Sequence, residues 1–190
     1  MTTSSEYNKM LAGELYDSTD AELKALRLRA RNLTFRFNQS RPDKPEARQE
    51  ILFELLGAMG SNCYIEPPFY CDYGKHIHLG DHCYMNFNCV LLDCTHIHIG
   101  HHVMFGPGVQ LYAAYHPLHA KKRIEGPELA APIRIGDNSW IGGGALICQG
   151  VEIGENTTIG AGSVVTKSIP SNVFAAGNPC TVIRKLSNEY

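Results

Sequence analysis

Histidines are the side chains of this 190-residue chain that stand where they could do chemistry: His116 in a loop, and seven more between residues 76 and 102. His116 lies in Tyr115-His116-Pro117. A neutral imidazole there can take a proton from a hydroxyl as it attacks and hand it to a leaving group. The residues alone also allow a plain exposed loop histidine beside a proline. Asn86, in Tyr84-Met85-Asn86-Phe87-Asn88, carries an amide that can hold a hydroxyl or a developing oxyanion, or can serve as one rung of an asparagine ladder. His76, His78, His82, His96, His98, His101 and His102 make up the crowd. The pairs His76-x-His78 and His96-x-His98 could stack on successive turns of a repeat and hold zinc, for which histidine is the commonest ligand. They are equally read as ordinary exposed strand residues.

These groups must be positioned by a repeat. An aliphatic residue recurs every sixth position through Ile135, Ile141, Ile147, Ile153, Ile159 and Val165, with Gly136, Gly142, Gly154 and Gly160 following four of them. Small residues fill the fifth slot: Ser139, Ala145, Val151, Thr157 and Ser163. That period fits neither an α-helix nor one alternating strand. It is the hexapeptide repeat of a parallel β-helix, in which short strands turn corners and the aliphatic residue points inward. The pattern begins earlier, at Leu79, Met85, Leu91 and Ile97, and resumes at Ile99, Phe105 and Leu111 two residues out of phase. A longer corner would produce that slip and keep inward residues inward. The repeat is lost over residues 112–132, an insert of the kind that is functional or disordered in compact domains.

Residues 1–60 read as a helical module. Leu23, Leu26, Ala30, Leu33 and Phe37 have helical spacing behind Asp20 as N-cap. Arg41-Pro42-Asp43-Lys44-Pro45 breaks this helix, and Ile51, Leu52, Leu55, Leu56 and Met59 form a second that ends near Gly57 to Gly60. Such a module would cover the open first coil of a β-helix spanning 61–190, whose strand edges are otherwise sticky. The expectation is one compact unit with a helical cap.

With 17 basic and 19 acidic residues, net charge −2, the chain lacks the basic face that nucleic acid requires. No apolar stretch is long enough for a bilayer, and the polar start MTTSSEYNK does not read as a signal peptide. Seven cysteines without CxxC spacing, with Cys83 and Cys89 in small-residue slots, suggest buried free thiols and a reducing cytoplasm.

The chain resembles the maltose and galactoside O-acetyltransferases of the hexapeptide-repeat superfamily, and the maltose type most. The resemblance runs through AGELYDS from Ala12, RLRARNL from Arg27, IEPPFYCDYG from Ile65, MNFNC from Met85 and LLD from Leu91. It continues in the His116-Pro117 loop, IGDNSWIGG from Ile135, and AGSVVTKSIPSNVFAAGNPC from Ala161 to Cys180. It implies a left-handed parallel β-helix, mainly β with its helical cap, assembled as a homotrimer. Acetyl-CoA would lie between subunits, with the His116 loop reaching toward the neighbour. The implied reaction is direct acetyl transfer to a small sugar hydroxyl, with no metal taking part.

In that resemblance His116 is the general base and Asn86 a catalytic residue also near the cofactor. Asp93, Tyr84, Asp72, Arg27 and Asp17, the last with Ser18 beside it, fall at acceptor-pocket positions. Cys94 stands where galactoside enzymes have an acidic residue, and Asp72 where they have serine. Gly143, Ala161, Thr166, Lys167 and Arg184 match positions lining the CoA site, with Trp140 packing on pantetheine. Thr181 replaces an arginine of the galactoside enzymes, which predicts weaker CoA binding. A zinc hydratase like the γ-class carbonic anhydrases, a related transferase for an antibiotic or amino-sugar acceptor, and a non-catalytic β-helix are the alternatives.

Overall fold

The inward-pointing hexapeptide residues stack on their equivalents one coil away. The ladder Ile65, Met85, Phe105, Ile141, Ile159 and Ala175 runs through successive parallel pairings, and every member is buried. The structure, a computed structural model, describes residues 4–187. Its strands form three parallel sheets, the faces of a prism. The first contains Ala58–Met59, Ile77–Leu79, Ile97–Ile99, Ile133–Ile135 and Glu152–Ile153. The second runs Tyr64–Ile65, Tyr84–Met85, Met104–Phe105, Trp140–Ile141, Thr158–Ile159 and Val173–Gly177, and Cys180–Lys185 pairs antiparallel at its end. The third holds Phe69–Cys71, Cys89–Leu92, Gln110–Tyr112, Leu146–Ile147 and Val164–Val165. This is a parallel β-solenoid, as the six-residue period predicts.

Tight corners use a left-handed backbone. Asn138, Asn156 and Asn172 have φ of 58°, 53° and 60°, and their side chains join in a ladder through Nδ2-to-Oδ1 bonds of 3.0 and 3.1 Å. Asparagine tolerates this region better than most residues. His82 and His102 occupy left-handed positions too, at φ 58° and 55°, with parallel rings stacked at 4.7 Å. Two of the crowded histidines are therefore corner residues.

The phase slip marks a longer corner. Leu79 pairs with Ile99, twenty residues on, whereas Ile135 pairs with Ile153, eighteen on. The extra residues lie between the third sheet and the first, in the segments after Cys71 and after Leu92. The 112–132 insert leaves from this same edge. It has structure of its own: Ala114–Tyr115 pairs antiparallel with Leu129–Ala130, and a short helix, Ala120–Ile124, sits between them.

Three helices precede the coil. Helix α1, Glu6–Ala12, has Ser5 as N-cap and Gly13 at φ 74° as C-cap; no pattern in the sequence pointed to it. Helix α2, Ala21–Asn38, is capped by the Asp20 carboxylate, which accepts from the amides of Glu22 and Leu23. Helix α3 corrects the expectation. It spans Pro45–Leu55, so Pro45 starts the helix at its first turn, where a missing N–H costs nothing. It ends before Gly57, whose amide is drawn to the carbonyls of Gly74 and Ile77, and Ala58–Met59 is already a strand of the first sheet. A Cβ on Gly57 would lie 2.1 Å from the Lys75 carbonyl oxygen.

Ala30, Leu33, Phe37, Leu52 and Leu55 share one buried cluster with the coil ladder. A second cluster of Met10, Tyr16, Leu23, Tyr73, Cys94 and Ala130 joins the cap, the lengthened corners and the insert. All seven cysteines are free and six are buried, and burial raises the Cys83 and Cys89 thiols to about 12 and about 11.

Candidate active site

The cleft that holds His116 lies on the edge where the coils lengthen. Its volume is about 310 Å³, and its walls are Ser18, Arg27 and Arg31 from the cap, Asp72 and Tyr73 from one corner, Leu92 and Cys94 from the next, and Ala114, His116 and Glu128 from the insert. Each departure from six-residue spacing thus supplies one wall.

The cap wall is fixed by Arg27. Its guanidinium donates to the Tyr73 hydroxyl at 2.7 Å and to the Ser18 carbonyl at 2.5 Å, and it lies over the Tyr73 ring at 5.7 Å. Asp72 is half-buried. Burial pushes its carboxyl above the usual range, opposed by the Cys94 thiol donating to Oδ2 at 3.5 Å and by the Arg27 charge. The insert wall is held by Tyr16, whose hydroxyl donates to Glu128 Oε2 at 2.8 Å. That leaves carboxylate oxygen on Glu128 and Asp72, and guanidinium N–H on Arg31, to meet an occupant. An imidazole, two carboxylates and cationic donors suit a molecule that is both hydroxyl donor and acceptor.

Of the expected acceptor residues, Arg27, Asp72 and Ser18 line the cleft with His116, whereas Asp93 and Asp17 do not. Asp93 is 0% exposed. Its Oδ1 accepts from the amides of Asp72 and Tyr73 at 3.0 and 2.8 Å and its Oδ2 from that of His76 at 3.3 Å, so it pins one corner onto the next behind the cleft wall. Burial, with the nearby Asp72 charge, raises its carboxyl to about 7 against the lowering effect of the Tyr73, Gly74 and His76 amides. Asp17 is exposed, and its carboxylate closes a local turn by accepting from the Thr19 amide at 2.8 Å. Glu128 was not legible beforehand. Its partner Tyr16 is distant in the chain, and nothing local to the insert distinguishes it.

The remaining candidates lie elsewhere on the chain. Tyr84, Trp140 and Met104 are outward residues of the second sheet. Asn86 follows Tyr84-Met85 at a corner, where its Oδ1 accepts from the Phe87 amide at 2.7 Å. This leaves Nδ2–H as the group it offers outward. A Cβ on Gly143 would lie 3.2 Å from the Pro107 ring and carbonyl oxygen, a close approach that favours a small residue there whatever binds. Ala161, Thr166, Lys167 and Thr181 are exposed, and exposed Arg184 sits over the Phe174 ring at 6.0 Å. None of these residues lines the His116 cleft.

The histidine crowd divides by environment. His76 is buried, donates from Nδ1 to the Asp93 carbonyl at 2.7 Å and accepts at Nε2 from the Tyr7 hydroxyl at 3.1 Å. Burial lowers it to about 4, so it is a neutral core group. His101 lies 3.2 Å from an Asp81 oxygen. His78, His96 and His98 gather on the outside of the first sheet.

Comparison with known proteins agrees with this architecture. Residues 9–60 match the maltose acetyltransferase hexapeptide capping motif, and residues 132–167 the bacterial transferase hexapeptide of six repeats. Nodulation protein L of Rhizobium meliloti is 48% identical over 180 residues, covering 95% of this chain and 98% of its own length. The crystal structure of a maltose O-acetyltransferase from Clostridium difficile 630 superposes with a TM-score of 0.96 at 46% identity, covering 97% of this chain and 99% of that one. A galactoside acetyltransferase in complex with coenzyme A superposes with a TM-score of 0.95 at 41% identity, over 98% and 93% of the two chains. With the capping motif, the repeats and near-complete coverage all in agreement, the chain belongs to the maltose and galactoside O-acetyltransferase family of hexapeptide-repeat acetyltransferases.

Proposed function

We propose that the protein transfers acetyl from acetyl-CoA to a hydroxyl of a small sugar bound in the His116 cleft. The observation that carries this reading is the cleft itself, whose lining brings together His116, Asp72, Arg27 and Glu128. Asp72 and Glu128 accept from sugar hydroxyls, and Arg31 donates to ring or hydroxyl oxygens. The His116 imidazole takes the proton from one hydroxyl as its oxygen attacks the thioester carbonyl carbon. The tetrahedral oxyanion then collapses, the C–S bond breaks, and the imidazolium returns the proton to the departing thiolate.

Oxyanion stabilisation is the task of the Asn86 Nδ2–H, from a neighbouring copy. Within one chain Asn86 and His116 occupy different surfaces, and a homotrimer would join them. An exposed row in register along the second sheet supports that assembly: Tyr64, Met104 and Trp140 are 42%, 51% and 52% exposed. Acetyl-CoA would lie along this junction, past Trp140, Gly143 and Ala161, with Thr166 near its arm and Lys167 and Arg184 toward its phosphates. A structural relative in complex with coenzyme A supports the cofactor. Seven free cysteines support a cytoplasmic location, and among the described residues no helix is long and apolar enough to cross a membrane.

The test is acetyl-CoA-dependent thiol release with glucose, maltose and galactosides as separate acceptors. Release with one of these sugars, and none without an acceptor, is the expected result. Release with no sugar, or only with an antibiotic such as chloramphenicol, would overturn the sugar assignment.

A further inference from the structure

We propose that His78, His96 and His98 form a binding site for one borderline divalent transition-metal ion of the zinc class, outside the acceptor cleft. The inference does not rest on the acetyltransferase reading.

The fold brings these residues together. Ile77, Leu79, Ile97 and Ile99 are buried, so the alternation of a strand turns His78 and His98 outward. The two are paired directly between adjacent coils, with rings stacked at 4.7 Å. His96 comes from the lengthened corner. Its Nδ1 lies 3.3 Å from His78 Nε2, and its ring centroid is 5.6 Å from that of His98.

One nitrogen from each of the three rings lies within 4.8 Å of the other two. A tetrahedral ion with metal–nitrogen bonds of about 2.0–2.1 Å separates its ligand nitrogens by about 3.4 Å. The His78–His96 pair already has that separation, and rotation of the outward His98 ring brings in the third nitrogen. The fourth position faces solvent and would hold water.

The ligand set is chemically consistent. Three imidazoles without a carboxylate select zinc, copper or nickel over calcium or magnesium. All three rings are half-buried. Arg134 follows His98 on the next coil, and Glu152 follows Arg134, a carboxylate one step beyond the only cation on this ladder. The ion would cross-link two coils on the first sheet, close to the corner that carries Cys94.

The pair His82 and His102, stacked at 4.7 Å, is a built-in control with two imidazoles and no third. The chelator-treated protein is titrated with Zn2+ by calorimetry and with Co2+ by visible absorption, without acetyl-CoA. One ion per chain with a four-coordinate cobalt spectrum is expected. His96→Gln and His98→Gln should each weaken binding by more than the roughly 10- to 100-fold lost when only a hydrogen-bond partner of a ligand is removed, while His102→Asn leaves it unchanged. His78→Asn is a third variant, so failure of one to fold leaves two readings. Absence of Zn2+ binding, or binding indifferent to His78, His96 and His98, would overturn the site.

Discussion

Tyr16 and Glu128 hold each other three times across 112 residues. Their backbones exchange hydrogen bonds of 3.1 and 3.0 Å, and the Tyr16 hydroxyl donates to Glu128 Oε2 at 2.8 Å. This clasp ties the segment after α1 to the return strand of the insert, and so sets the width of the cleft. Tyr16 is 1% exposed, and burial holds its phenol well above the usual range, so it remains a donor.

Tyr16→Phe keeps the packing and removes that donor. A hydrogen bond to a charged group contributes about 1.5–3 kcal/mol, and a loss within that range should appear in denaturant melts. KM for the acceptor should rise while KM for acetyl-CoA stays constant. Equal effects on both substrates would mean that the clasp does not belong to the acceptor side.

Asp72→Asn separates stability from binding. The Asp72 carboxyl is raised by burial, so the folded state holds a proton that the unfolded state releases near pH 4. That contribution is fully present below about pH 4 and is lost as pH rises through the raised value. The variant should therefore gain stability relative to the parent as pH rises from 4 toward neutrality, while losing acceptor affinity. A stability difference independent of pH would contradict the assigned burial.

Much of this was legible in the sequence because the repeat is local. Six-residue spacing from Ile135 to Val165 specifies the coil, and the slip at Ile97–Ile99 specifies the longer corner. The walls of the cleft were legible only in part. Arg27, Asp72 and His116 came from resemblance, whereas Glu128 depends on its bond to Tyr16, a contact with no local signature. Asp93 came from resemblance too, and its three amide donors, which hold one corner against the next, have no local signature. Helix α1 is short, and its single fully buried residue, Met10, leaves no periodicity to detect.

The asparagine ladder offers a test of backbone against side chain. Asn156 sits between Asn138 and Asn172 at φ 53°. Both Asn156→Ala and Asn156→Gly remove the amide bonds, but only alanine also meets the left-handed penalty of about 1–2 kcal/mol. Asn156→Gly should therefore be the more stable of the two in thermal melts. The reverse order would mean that side-chain volume governs this corner.

Asn86→Ala removes the proposed oxyanion donor while retaining the corner. Loss of one such donor lowers kcat by about 100- to 1,000-fold, with acceptor KM little changed. A rise in KM at constant kcat would reassign Asn86 to ground-state binding.

The most direct measurement compares His116→Ala with the parent protein in sugar-dependent thiol release from acetyl-CoA. His116 is exposed, so the substitution should leave the fold and coenzyme binding intact. The account predicts a fall of about 100- to 10,000-fold in kcat, with KM for acetyl-CoA little changed. Sugar-dependent release at the parent rate would contradict His116 as the base.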